Sequence, residues 1–114
     1  MTSVMCLAAC QKDNSTTVSP KSIEFPSDGG TAQISINDSG FPNVCSVIEY
    51  NETCGIYYNV NLGTSEKTYG SLTLKVSGQN VCLSVGKTVK ARSWKVNLMV
   101  NDTVESVSVT QLGE

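Results

Sequence analysis

Tyr57, Asn59 and Asn61 alternate along one segment of this chain, and Glu49 and Tyr50 close the segment before it. Residues spaced by two stand on one face of a β-strand, so the first three are expected to point the same way. A phenol ring flanked by amides and a carboxylate offers an apolar plane with hydrogen-bonding groups around it. That is the chemistry that receives a sugar ring, whose C–H face is apolar and whose rim is polar. These five residues are the candidate ligand-binding set. Catalytic chemistry is poorly supplied by comparison. The chain contains no histidine, so the commonest general base and the commonest metal ligand are both missing. Its acidic residues are scattered over turn-like segments, without the facing pair that glycoside hydrolysis needs. Its many serines and threonines lack an imidazole to activate them. The expectation is a non-enzymatic protein with no catalytic residues and no cofactor.

Cysteine supplies a second kind of chemistry. Leu7-Ala8-Ala9-Cys10 places a thiol after an apolar residue and two small ones, the pattern at which lipoprotein signal peptidase cuts and a diacylglyceryl thioether is made. Gln11 to Thr17 follow as a polar, turn-forming tether. This resembles a bacterial lipobox. Residues 1–9 are therefore expected to be the end of a lipoprotein signal peptide, residues 10–18 a tether lipidated at Cys10, and residues 19–114 the folded domain. Gln11-Lys12-Asp13 is similar to the short acidic export signal of Bacteroidota lipoproteins, which implies the outer membrane and its cell-surface side. The membrane would then be met through the lipid alone, because no apolar run approaches the ~18 residues of a spanning helix.

Of the five cysteines, Cys45, Cys54 and Cys82 remain for the domain, which allows at most one internal disulfide. Cys45 with Cys54 is the expected pairing, since they flank Asn51-Glu52-Thr53; the other two pairings stay open. Without histidine, zinc would need all three thiolates and a carboxylate, so no metal site is expected. A net charge of −2 with no basic stripe gives no reason to expect nucleic acid.

The elements that must position these residues show strand periodicity. Ser22 to Phe25, Thr31 to Asn37, Val44 to Tyr50 and Gly55 to Leu62 read as strands, as do Gly70 to Ser77, Val81 to Val85, Ser93 to Val100 and Glu105 to Gln111. Gly63 to Thr68 reads as a polar loop. Ile34, Ile36, Leu72, Leu74, Val96 and Leu98 are predicted to be buried, with Trp94 in register beside them. Ser77-Gly78-Gln79-Asn80 reads as a hairpin. The last two strands join through either a two-residue Asn101-Asp102 turn or a four-residue loop. The expected fold is all-β, a single antiparallel sandwich of about 7–8 strands, with a closed barrel as the alternative.

Three stretches carry a family resemblance. Val18-Ser19-Pro20-Lys21-Ser22-Ile23-Glu24-Phe25-Pro26-Ser27-Asp28-Gly29-Gly30-Thr31 looks like the opening of a BACON domain, Tyr69 to Leu74 resembles its Gly-led strand, and Val107 to Gly113 is similar to its last strand. The resemblance implies an Ig-like β-sandwich in a Bacteroidota envelope protein. It also implies a carbohydrate- or mucin-binding role, or else a spacer or accessory part that contacts an envelope or host protein.

Overall fold

The computed structural model describes residues 18–36, 43–50, 54–61, 65–100 and 103–114. They form ten strands and no helix: β1 (Val18–Ser19), β2 (Ser22–Phe25), β3 (Gly30–Ile36), β4 (Asn43–Tyr50), β5 (Gly55–Asn59), β6 (Glu66–Tyr69), β7 (Leu72–Ser77), β8 (Asn80–Val85), β9 (Arg92–Val100) and β10 (Thr103–Gln111). One sheet runs β1-β3-β8-β7-β6 and the other β2-β10-β9-β4-β5. All pairings are antiparallel except β2, which runs parallel to β10. Two sheets fit a sandwich and not a closed barrel.

Alternation explains which side of each strand is buried. Ile34 and Ile36, Leu72 and Leu74, Val81 and Leu83, and Trp94, Val96, Leu98 and Val100 all lie in one core between the sheets. Trp94 is 2% exposed, and every residue predicted to be buried is buried. Strand β4 breaks strict alternation because its register steps between Val44 and Ser46. This bulge at Cys45 lets Val44 and Val47 share the inner face although they are three positions apart, a spacing that strict alternation would put on opposite faces. Val100 pairs directly with Thr103, which selects the two-residue connection; Asn101 and Asp102 themselves lie outside the described residues. The Gly78-Gln79 hairpin forms, with Ser77 opposite Asn80.

Two expectations need correction. There are more strands than the seven or eight predicted, because β1 is too short to show periodicity and Glu66 to Thr68, read as part of a loop, belong to strand β6. Strand β6 is an edge strand exposed along most of its length, so its sequence has no apolar alternation to read. The expected Cys45–Cys54 bond is not formed, and the Cys45 and Cys82 thiols are free. Cys45 stands opposite Val60, whose N–H donates to its carbonyl at 3.1 Å, while Cys54 lies beyond the Gly55–Tyr50 pair at the other end of the β4–β5 ladder. At strand rise, that separation is roughly 20 Å, far beyond the ~7 Å Cα limit for a disulfide. The expected signal segment, Cys10 and most of the tether lie outside the described residues.

One end of the molecule is held by a buried amide. Gln111, 1% exposed, donates from Nε2 to the carbonyls of Pro26 (3.1 Å) and Gly86 (2.8 Å), and its Oε1 accepts from Arg92 Nε at 2.8 Å. The buried polar group is thereby satisfied on both sides. This side chain thus ties the Pro26 turn and the Gly86 segment to the closing strand, in addition to the backbone ladder between β2 and β10.

Truncating the core should be expensive. Leu74→Ala is expected to lower unfolding free energy by about 2–5 kcal/mol, measured by urea titration of Trp94 fluorescence, whereas Lys75→Ala, on the exposed side of the same strand, should leave the midpoint essentially unchanged.

Candidate functional site

The second sheet turns one face to the core and the other to solvent. On the solvent face, register aligns the strands into rows. Tyr57 pairs with Ile48 and Ile48 with Lys95; Asn59 pairs with Ser46 and Ser46 with Asn97. A third row runs Glu24, Thr110, Ser93, Tyr50 and Gly55 across all five strands. Tyr57 is 63% exposed and Tyr50 40%. As diagonal neighbours on adjacent strands, their Cβ atoms lie about 7–8 Å apart, within reach of two aromatic side chains.

Gly55 makes this surface possible. A Cβ built there would sit 3.2 Å from Tyr50 Cε1 and 3.1 Å from Ile48 Cγ2. The bare glycine backbone therefore lets the Tyr50 ring lie over the edge strand. Beside Tyr50 runs a shallow groove of about 420 Å³, with Ser93 and Thr110 as hydroxyl-bearing floor and Glu24, Ala91 and Leu112 around it. That volume lies within the range of small-ligand sites. In the Asn59 row, on the far side of Tyr57, Asn97 Nδ2 donates to Ser46 Oγ at 3.0 Å and Ser106 Oγ donates to Asn97 Oδ1 at 2.6 Å. These bonds hold the polar row in a fixed orientation beside the rings.

The five sequence-predicted residues separate. Tyr50, Tyr57 and Asn59 share the solvent face. Glu49 points to the other side, where its Oε2 accepts from Trp94 Nε1 at 2.8 Å and from the Ser71 backbone N–H at 2.9 Å. It joins β4 to the turn before β7 and so links the two sheets. Asn61 lies past the end of β5, where its N–H donates to Tyr69 Oη at 3.3 Å and its carbonyl accepts from Lys67 Nζ at 2.9 Å. Its backbone belongs to the crossing toward β6. Sequence reading missed Ser93, Thr110 and Glu24. Each alternates with buried residues in its own strand, which marks it as outward, but only strand register brings the three into one row with Tyr50.

The solved structures include a fold relative, an NMR structure of a protein from Bacteroides thetaiotaomicron. It superposes on 82% of this chain and 77% of that chain with a TM-score of 0.63, at 13% sequence identity. Identity that low speaks to fold alone. No family model matches the chain, and no curated protein does.

The two sides of β4 should respond differently to mutation. Glu49→Ala leaves the Trp94 indole and Ser71 amide without their acceptor and is expected to cost about 1–3 kcal/mol in denaturant unfolding. Tyr57→Ala, on the solvent face, should stay within about 0.5 kcal/mol of wild type.

Proposed function

We propose that this chain is a non-enzymatic, lipid-anchored protein of the outer membrane, displayed at the cell surface, whose BACON-like, Ig-like sandwich binds a carbohydrate on the solvent face of its second sheet. The observation that carries the reading is the pairing of two exposed tyrosines, Tyr50 and Tyr57, on one face beside a groove floored by Ser93 and Thr110. The rings supply the apolar planes on which a sugar's C–H face rests, while the hydroxyls, Asn59 and Glu24 supply polar partners for its rim. Glu49 and Asn61 take no part in this version of the site. Residues 11–17 would serve as the tether between the lipid on Cys10 and β1, whose first residue, Val18, is already buried in the core.

A second reading, a spacer or accessory subunit mediating protein–protein contact in the envelope, draws support from the shallowness of the groove and from the two internal clasps at Glu49 and Gln111. Such a part needs stiffness and no enclosed pocket.

A glycan array probed with the full chain separates the two. Binding that Tyr57→Ala and Tyr50→Ala each abolish, with thermal stability retained, is the expected result; an array without any binder favours the spacer. The anchor is tested separately, because acyl chains contribute about 0.8 kcal/mol per buried CH₂ to membrane attachment. Cys10→Ala, expressed in a Bacteroidota host behind a complete signal peptide, should move the protein from the membrane to the soluble fraction. Unchanged membrane association would remove lipidation from the account.

A further inference from the structure

Four strands form the lateral edges of the two sheets, and three of them are blunted. Strand β1 has two residues and β2 four. Strand β6 carries Glu66 and Lys67, and the Asn61 backbone lies against it through Tyr69 and Lys67. Short length, charge and cover are the devices by which natural edges avoid pairing with other chains. Strand β5, Gly55-Ile56-Tyr57-Tyr58-Asn59, has neither charge nor proline. Ile56 is 41% exposed and Tyr57 63%.

Register shows which backbone groups this edge offers. Val60 N donates to Cys45 O, and Tyr58 opposite Val47 and Ile56 opposite Glu49 continue the same ladder. In an antiparallel ladder hydrogen-bonded and non-bonded pairs alternate. Gly55, Tyr57 and Asn59 therefore turn both N–H and C=O away from β4, and none of the turn, loop or crossing hydrogen bonds among the described residues reaches them.

We propose that β5 pairs antiparallel with β5 of a second copy of this chain, about a two-fold axis at Tyr57. Tyr57 then opposes the partner's Tyr57, and Gly55 opposes the partner's Asn59. These are the residues whose donors and acceptors face outward, so each opposed pair exchanges two backbone hydrogen bonds. On the inner side, Ile56 meets the partner's Tyr58, which covers an aliphatic side chain that its own chain leaves exposed. No like charges meet, because β5 carries none. This pairing uses only the strand edge and is independent of sugar binding. If both hold, the joined sheets place two Tyr50–Tyr57 surfaces side by side on one continuous face.

A contact of one short strand per copy lies at the small end of specific interfaces, so association should be weak and concentration-dependent. Sedimentation equilibrium of the full chain, under reducing conditions to prevent thiol cross-linking, is expected to show the mass rising from one chain toward two between micromolar and millimolar concentration. Tyr57→Pro and Asn59→Pro each delete one outward N–H at a position where an edge strand tolerates proline. Both should stay monomeric throughout, whereas Tyr57→Ala, which keeps the N–H, should still associate. Exchange of the Gly55, Tyr57 and Asn59 amides should slow with concentration in the wild type. A wild-type chain monomeric at every concentration overturns the proposal, as does association that survives both proline variants. A monomer whose β5 takes up an unrelated extended peptide also overturns it.

Discussion

The carboxylate of Glu49 is the contact on which much of this structure depends. It sits between the sheets and accepts two hydrogen bonds at one oxygen, from the indole of Trp94 beside it and from the backbone of Ser71 on the opposite sheet. Trp94 is the largest fully enclosed side chain of the core, and its N–H would otherwise be buried without a partner. The same carboxylate explains a glycine. Gly70 has φ +65°, and a Cβ there would lie 2.6 Å from Glu49 Oε1. A side chain at that position would therefore be strained by its backbone and also collide with the clasp. Acid, tryptophan and glycine form one unit, and none of the three is replaceable without disturbing the others.

The clasp also sets the outer face. Because Glu49 is held inward, alternation sends its neighbours Ile48 and Tyr50 outward, where Gly55 leaves room for the Tyr50 ring. The Gln111 amide does comparable work at the same end of this sheet, on the far side of the Tyr50 row. By binding the carbonyls of Pro26 and Gly86 it fixes the end of β10, which carries Thr110 and leads into Leu112, and so forms one side of the groove. The opening and closing motifs, far apart in sequence, meet along the β2–β10 ladder, and this side chain closes its end. A rigid interior thus presents a surface of exposed rings and hydroxyls that has little of its own to hold it in place.

Much of the fold was legible in the sequence because sheet burial has period two. Ile34 and Ile36, Leu72 and Leu74, and Val96 and Leu98 declare their faces by spacing alone. What was not legible has physical causes. Strand β6 is polar because neither of its faces is deeply buried, and the bulge at Cys45 has no sequence signature that outweighs the apolar residues around it. Cys45 and Cys54 flank a hairpin and look close along the chain, yet they sit at opposite ends of its ladder. For the site, parity placed Tyr57 and Asn59 together. Glu49 resembled a ligand group because its true partners, Trp94 and the Ser71 backbone, are distant in sequence and one of them is main chain. The row from Glu24 to Tyr50 depends on the register of three strand pairs, which no local pattern encodes.

The Glu49 clasp can be observed directly by NMR hydrogen exchange on the folded chain. The Ser71 amide and the Trp94 indole N–H are both expected to be protected in the wild type, and Glu49→Ala to expose both while Leu74 and Val96 at the centre of the sheets keep their protection. A Ser71 amide that exchanges as fast as an open turn in the wild type, or that keeps its protection when Glu49 is removed, would contradict the clasp.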